Sequence, residues 1–240
     1  MMASKSDIYR AEPGGCLGGG AVFRTDDLGR SWRQLDLDVS SVLTLTSSAP
    51  SSIQAVVTTS DTCEAVGIAS SDSGQTWTEQ RDSSWHRYAD DARRLHAPTR
   101  SVPNPCPDRS LPVVELQGLS TTDAAVLCPD GEVLRTVDGR GFGQQSKVPD
   151  AMALAFESRD LGWLLVRDGE QCPAYVLNRS QDGGVTWAQG GCVGSANALA
   201  SGAPPALAFS DSLHGLATIG DVAYGTENGG FTWRQVVTRR

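Results

Sequence analysis

An eight-residue pattern of the form Ser/Thr-x-Asp-x-Gly-x-Ser/Thr-Trp recurs along the chain and restricts the folds that the sequence can adopt. Complete copies begin at Thr25, Ser70 and Ser180, a copy with asparagine at the third position begins at Thr226, and a copy one residue shorter begins at Thr136. The third positions of successive copies lie 45, 66, 44 and 46 residues apart. A period near 45 residues is typical of a four-stranded propeller blade, and the longer step leaves an insertion of about 21 residues.

Each copy has the composition of a tight turn between two antiparallel strands. The aspartate can accept hydrogen bonds from backbone N–H groups of the turn, and the glycine can adopt a positive φ without steric cost. The tryptophan begins the next strand and offers a large apolar surface for burial. In the short copy, Arg140 takes the glycine position and Phe142 replaces the tryptophan, so we expect a distorted turn. The structural residues of the copies are Asp27, Trp32, Asp72, Trp77, Asp138, Asp182, Trp187, Asn228 and Trp233.

The pattern resembles the Asp-box, or BNR, repeat of β-propellers, a superfamily that includes sialidases, photosystem II assembly and stability factors and sortilin-type receptors. The resemblance implies an all-β chain that forms a single β-propeller of about five four-stranded blades. Aligning the copies predicts blades over residues 7–38, 39–81, 110–149, 150–191 and 192–240, with an insertion over 82–109. No strand precedes Asp7–Ala11, so we expect an incomplete first blade, either with three strands or with its missing strand upstream of Met1.

Composition excludes several classes of function. The chain of 240 residues has a formal net charge of −8, and an acidic surface disfavours phosphate backbones, so we expect no nucleic-acid partner. No apolar run is long enough to cross a bilayer, and Met1–Asp7 lacks the apolar core of a secretory signal. We therefore predict no membrane insertion by this sequence. An anchor would have to come from an N-terminal segment that has been removed.

Four of the six cysteines occur at one repeated position. Cys16, Cys63, Cys128 and Cys172 precede the third position of their copies by 9 to 11 residues, which places them in the turns between the second and third strands. In a propeller these turns emerge on the same face as the connections between blades, where the other two cysteines lie. All six are therefore expected on one face, opposite the repeated turns.

The placement of the cysteines favours one set of pairs among the fifteen that six cysteines allow. Proximity favours Cys106–Cys128 and Cys172–Cys192, and Cys16–Cys63 follows by elimination. An even number of cysteines at repeated positions indicates an oxidising, extracytoplasmic location, either secreted or in the cell envelope. Buried free thiols are the alternative, and the spacing does not suit a zinc site.

The insertion carries the candidate binding residues Trp85, His86, Tyr88, Arg93 and Arg94. Tryptophan, tyrosine and arginine dominate interface hot spots, and loops on rigid scaffolds carry binding residues disproportionately. We predict a short helix over Ala89–Leu95 and an extended, proline-rich remainder. A surface loop that diverged without a role is the alternative.

The resemblance to sialidases raises the question of catalysis. A sialidase needs three arginines around the substrate carboxylate, a tyrosine activated by a glutamate, an aspartate acid/base and an Arg-Ile-Pro signature before the first repeat. The sequence has Ala21-Val22-Phe23-Arg24 at that place, and the constellation cannot be assembled. A different glycoside hydrolase would need two carboxylates about 5–10 Å apart, and only Glu115 and Glu157 interrupt the mostly apolar inner strands.

These observations favour a binding protein over an enzyme. We predict no catalytic residue, no cofactor and no metal site. The predicted function is a non-catalytic binding or assembly module that uses the cysteine-bearing face and the insertion, with a protein or a glycan as its partner. A sialidase-like glycoside hydrolase that acts on glycans is the alternative.

Overall fold

Each copy of the repeated turn joins two strands of an antiparallel sheet in the computed structural model of the protein. The structure describes residues 7–27, 29–49, 51–59, 63–80, 84–88, 91, 93–168, 170–202 and 204–236. Within these ranges, four blades have four strands and the first blade has three, each formed by strands that are consecutive in sequence. The predicted all-β propeller with five blades and an incomplete first blade is confirmed.

The strands are short, as a period of about 45 residues requires. Blade one contains β1 (Ile8–Glu12), β2 (Ala21–Thr25) and β3 (Arg33–Gln34). Blade two contains β4 (Ser41–Ala49), β5 (Ser52–Thr58), β6 (Ala65–Ser70) and β7 (Thr78–Gln80). The insertion contains the hairpin β8 (Arg94–Ala97) and β9 (Arg100–Pro103). Blade three contains β10 (Glu115–Gly118), β11 (Ala124–Leu127), β12 (Glu132–Thr136) and β13 (Gly143–Lys147). Blade four contains β14 (Ala151–Phe156), β15 (Gly162–Arg167), β16 (Tyr175–Ser180) and β17 (Ala188–Val193). A 3-10 helix over Ala196–Ser201 leads to blade five, which contains β18 (Ala206–Phe209), β19 (Gly215–Ile219), β20 (Val222–Thr226) and β21 (Arg234–Val236).

Hydrophobic cores form where the faces of successive blades meet. Side chains alternate between the two faces of a strand, so a strand between two cores is apolar throughout. All four residues of β11 are fully buried; Ala125 and Leu127 pack with blade four, whereas Ala124 and Val126 pack with the insertion. The repeated turn of blade one, at Gly29, lies against blade five, because a Cβ atom there would be 3.3 Å from Leu216 Cδ1.

The repeated turn, here called the box turn and numbered with its blade, is held by hydroxyl and carboxylate groups. In box turn four, the Ser180 hydroxyl accepts a hydrogen bond from Gly184 N and donates one to Asp182 Oδ1, both at 2.8 Å. The Asp182 carboxylate also accepts from the hydroxyl and the N–H of Thr186, at 2.6 and 2.9 Å. These bonds, led by the Thr186 hydroxyl, lower the pKa of Asp182 to about 2. Gly184 has a φ of 92°, which favours glycine.

Box turn three is distorted, as the sequence predicts. Its Thr136 hydroxyl accepts from Gly139 N at 3.0 Å, three residues along the chain, whereas box turn four spans four residues. Gly139 therefore supplies the positive φ, 68°, that Arg140 would adopt only with strain. Phe142 occupies the place of the tryptophan and packs against the insertion.

Three disulfides join the cysteines as predicted, Cys16–Cys63, Cys106–Cys128 and Cys172–Cys192. Their Cα atoms are 5.5, 5.6 and 5.3 Å apart, within the range that a disulfide spans. Cys106–Cys128 ties the end of the insertion to the turn after β11. In the part of the chain that the structure describes, no helix is both long and apolar enough to cross a membrane.

Candidate functional site: the insertion between blades two and three

The insertion takes the position that a preceding blade has elsewhere in the ring. Box turns normally pack against the blade before them; a Cβ atom at Gly230 of box turn five, for example, would collide with Leu177 of blade four. At Gly139 of box turn three, such an atom would instead meet the insertion, with Arg100 Nη2 at 3.5 Å and Trp85 Cζ2 at 3.6 Å. The insertion therefore replaces a blade against box turn three.

Trp85 belongs to the hydrophobic core and does not reach the surface, which corrects its selection as a binding residue. Its side chain is 1% exposed, and its ring lies edge-on to Phe142 at a centroid distance of 5.7 Å. A Cβ atom at Gly118 would be 3.0 Å from Trp85 Cδ1, so β10 leaves room for the indole. Leu95 and Val102 of the hairpin complete this core over blade three.

The segment predicted as a helix ends in a strand. β8 pairs with β9 in antiparallel register, with Leu95 opposite Val102. Leu95 and Ala97 are buried and Arg94 is exposed, an alternation with the period of two that a strand requires. The helix prediction is therefore wrong at Arg94 and Leu95, where packing on blade three outweighs local propensity; residues 89, 90 and 92 lie outside the described ranges.

Three aromatic rings connect the start of the insertion to its hairpin. His86 and His96 exchange two backbone hydrogen bonds of 2.9 and 2.8 Å, and their rings stack at 5.1 Å. Tyr88 lies edge-on to both, at centroid distances of 5.5 and 4.9 Å. His86 is 2% exposed and packs beneath the surface, so its selection as a residue that contacts a partner directly is corrected. Tyr88, in contrast, is only half-buried.

Glu115 and Arg87 are far apart in the sequence, but in the structure they lie close enough for their charges to interact. Glu115 begins β10 opposite Leu127, beside the cysteine-bearing turn. Burial raises the pKa of Glu115 to about 7, and the nearby positive charge of Arg87 opposes this shift. The side chain therefore exchanges its proton near neutral pH.

The exposed candidates gather at the cysteine-bearing end of the insertion. Arg93 and Arg94 are exposed, and the carbonyl of Arg93 accepts from Asn104 N at 2.7 Å, two residues before Cys106. The opposite end of the hairpin reaches the box-turn face, where Arg100 Nη2 donates to the carbonyl of Asp138 at 3.3 Å. The insertion thus spans both faces and presents Arg87, Tyr88, Arg93 and Arg94 on the predicted one.

The charge of the insertion is opposite to that of the chain. Residues 82–109 contain five arginines and four aspartates, a net charge of +1, whereas the whole chain carries −8. The remaining residues therefore carry −9. This contrast was present in the sequence. Arg87 is of the same residue type as the predicted candidates but was not among them, and the structure places its charge near Glu115.

A concavity separate from the insertion lies on the box-turn face between blades three and four. Its volume is about 470 Å³, and its lining includes Arg135, Arg159 and Asp182. Most of its charged groups are engaged within the fold: Arg135 pairs with Asp123 through two bonds of 2.9 Å and also donates to the Arg159 carbonyl. The carboxylate of Asp182 is held by its own box turn. This arrangement stabilises the junction of the two blades.

Comparisons with known proteins concern the fold. No family model matches the sequence, and no curated protein matches it. The structure is similar to YCF48 from Cyanidioschyzon merolae, with 16% identity, a TM-score of 0.40, and coverage of 91% of this chain and 67% of that one. It is similar to YCF48 bound to D1 peptide, with 16% identity, a TM-score of 0.43, and coverage of 91% and 73%. An ancestral GH74 enzyme gives 11% identity, a TM-score of 0.39, and coverage of 98% and 37%. The propeller fold of this protein follows from its own strand pairing.

Proposed function

We propose that this protein is a non-catalytic binding or assembly module of the cell envelope or extracellular space, and that the cysteine-bearing end of the insertion binds an acidic segment of a partner protein. The observation that carries the proposal is a cluster of exposed arginines and a tyrosine on an insertion whose charge is opposite to that of the chain. Arginine and tyrosine are enriched among the residues that dominate binding energy.

The insertion is fixed to the propeller by its own core. Trp85 and Leu95 are each 1% exposed, and Cys106–Cys128 binds the end of the insertion to blade three. A surface held in this way loses little conformational entropy when a partner binds, which favours affinity. Arg94 is also oriented, because its Nε donates to Ser101 Oγ at 2.6 Å.

The charge of the surface selects the class of partner. A positive patch on an otherwise negative protein attracts an acidic segment and repels the remainder of a second copy. Arginine can also bind a carboxylate through two parallel hydrogen bonds, which gives specificity as well as affinity. The three disulfides support the proposed location, since disulfides persist in oxidising compartments.

Charge reversal tests this surface without removing the core. Deleting the insertion is no test, because it would remove Trp85. We expect the double variant Arg93→Glu/Arg94→Glu to bind an array of acidic peptides at least about tenfold more weakly, a loss of about 1.4 kcal/mol or more. Binding is measured by surface plasmon resonance at two salt concentrations, and higher salt should weaken it further.

A matched control carries the same change in net charge elsewhere. Arg33 and Arg234 are exposed on the outer strands β3 and β21. These strands belong to blades one and five, whereas the insertion lies between blades two and three. Arg33→Glu/Arg234→Glu should leave acidic-peptide binding nearly unchanged. An equal loss in both double variants would assign the binding to overall charge and contradict the proposal. Binding to acidic glycans alone on a parallel array would assign the surface to a glycan.

A glycoside hydrolase is the second candidate, favoured by the raised pKa of Glu115. Glu115 is the first residue of β10, whereas Glu157 follows the last residue of β14, so they lie at opposite ends of parallel-running inner strands. This placement disfavours Glu157 as the second carboxylate that such an enzyme needs. Turnover of a fluorogenic sialoside or glycoside panel that disappears in Glu115→Gln would support the enzyme instead.

A further inference from the structure

Two of the three disulfides have at least one cysteine in the protein interior. Cys106 and Cys128 are 1% and 0% exposed and belong to the core beneath the insertion. Cys172 is 4% exposed, whereas its partner Cys192 is exposed on the outer strand β17. A thiolate from the solvent can therefore reach only one side of Cys172–Cys192, and its attack at Cys192 would expel Cys172 as a thiolate. Burial disfavours a charged thiolate, so both disulfides resist exchange with external thiols.

Cys16–Cys63 differs because both of its cysteines are exposed. It joins the turn after β1 to the turn after β5, and so connects blade one to blade two. A thiolate can attack either sulfur, and the thiolate that leaves is in contact with water. Cys63 also has a φ of 56°, which is disfavoured for a residue with a side chain. Cleavage of the disulfide frees Cys63 to leave this strained conformation.

Cys16 lies at the tip of a glycine-rich hairpin between β1 and β2. Gly15 and Gly18 exchange two backbone hydrogen bonds of 3.0 Å, so Cys16 and Leu17 form the turn between them. Leu17 is fully exposed, and a Cβ atom added at Gly15 or Gly18 would have no neighbour within 4 Å. Within the described ranges, residues 15–18 form no hydrogen bond with another blade apart from the contact with Cys63. The tip therefore protrudes, and its disulfide ties it to blade two.

The base of the hairpin is fixed independently of the disulfide. Gly20 N donates to the carbonyl of Ser40 at 2.8 Å. Val42 N donates to the carbonyl of Pro13, also at 2.8 Å. A Cβ atom at Gly14 would collide with the Ser40 carbonyl, so this glycine lets the base lie directly against blade two. Loss of the disulfide therefore frees the tip and leaves the junction of the two blades in place.

We propose that Cys16–Cys63 is a site of thiol–disulfide exchange, and that its reduction by a dithiol releases the hairpin tip with Leu17 while the other two disulfides and the propeller stay intact. One thiolate of the dithiol attacks one cysteine and forms a mixed disulfide, and the other cysteine leaves as a thiolate. The second thiolate of the dithiol then displaces the first cysteine. The dithiol is oxidised to its disulfide by two electrons, and its two protons end on the cysteines. The site is separate from the insertion surface and does not depend on the proposed function.

Graded reduction of the full chain tests the order of cleavage. The folded protein is treated with dithiothreitol, free thiols are labelled with N-ethylmaleimide at successive times, and the labelled peptides are identified by mass spectrometry. Cys16 and Cys63 should acquire label at least about tenfold faster than the other four cysteines, in keeping with their exposure. Simultaneous labelling of all six, or earlier labelling of either of the other pairs, would overturn the proposal.

A parallel reaction with thioredoxin, a protein dithiol, distinguishes the source of the electrons. Selective labelling of Cys16 and Cys63 in both reactions supports the proposal for protein dithiols as well as small ones. Selective labelling with dithiothreitol alone supports it for small dithiols. Labelling of neither cysteine in either reaction would contradict it.

Amide exchange in NMR spectra tests the release of the tip. On reduction, the amides of Gly15 and Gly18 should exchange with deuterium at least about tenfold faster, whereas that of Gly20 at the base should be unchanged. The variant Cys16→Ser/Cys63→Ser should show the same pattern without a reductant and an unchanged circular dichroism spectrum. The measurement on the reduced wild-type protein needs no variant. Unchanged exchange at the tip, or equal acceleration at the tip and the base, would overturn the proposed release.

Discussion

Replacing Trp85 with alanine is expected to lower the free energy of unfolding by about 3–5 kcal/mol, the cost of truncating a large buried aromatic residue. The side chain is 1% exposed and fills the space between β10 and the hairpin of the insertion. Its removal leaves a cavity bordered by Phe142, Leu95 and Gly118, which the rigid disulfide-linked frame cannot fully close. Urea unfolding followed by tryptophan fluorescence and circular dichroism measures the change.

Tyr88→Ala provides the comparison within the same segment. Tyr88 is half-buried and contacts His86 and His96 only from the edge, so its truncation should cost about 1 kcal/mol or less of the free energy of unfolding. The pair of variants separates the core of the insertion from its surface. Equal, small losses in both would mean that the insertion is a loose surface loop and would contradict the packing of Trp85.

The features that the sequence predicts correctly are local or repeated. A box turn forms from hydrogen bonds among residues at most four apart, such as those of Ser180, Asp182 and Thr186. Its sequence pattern can therefore be recognised without tertiary information. Five copies then give the blade period, and four cysteines at one position of that period give the face and the pairing. Repetition supplies the alignment that a single chain otherwise lacks.

The structure of the insertion is harder to predict from the sequence because the insertion occurs only once in the chain. Its Trp85, Leu95 and Val102 are buried against Ala124 and Val126, which lie more than twenty residues away in the sequence. Nothing in the composition of the segment distinguishes a tryptophan that packs beneath a surface from one that lies on it. The hairpin likewise depends on the apolar side of blade three, which a helix over the same residues could not cover with Leu95 and Ala97.

The incomplete first blade shows what counting strands can and cannot predict. The three strands that the structure describes in blade one match the three segments that align with its box turn. The consequence for blade five does not follow from the count, because the exposure of Ala206 and Ala208 depends on how the ring closes. The repeated Ala-Leu-Ala-Phe sequence makes the difference visible, since identical residues are buried in blade four and exposed in blade five.

Glu115→Gln is expected to raise the free energy of unfolding at pH 8 by about 2–3 kcal/mol and to leave it nearly unchanged at pH 4. The pKa of Glu115 rises from its ordinary value of 4.5 to about 7, chiefly through burial, so folding favours its protonated form. Each pKa unit corresponds to about 1.4 kcal/mol between the two protonation states. Below pH 4.5 the folded and unfolded states are both protonated, and Glu115 costs nothing. As the pH rises from 4.5 to 7, the unfolded state loses its proton first, and the wild-type protein loses stability.

Glutamine keeps the shape and hydrogen-bonding capacity of protonated Glu115 but cannot ionise, so the variant should not show this part of the pH dependence. Urea unfolding of both proteins between pH 4 and pH 8 isolates the contribution, because every other titrating group is shared. Arg87→Ala should act in the opposite direction at pH 8, since it removes the positive charge that lowers the pKa of Glu115. A stability difference between wild type and Glu115→Gln that stays constant over this range would show that Glu115 is ionised in the folded protein at neutral pH, and would remove the observation that favours an enzyme.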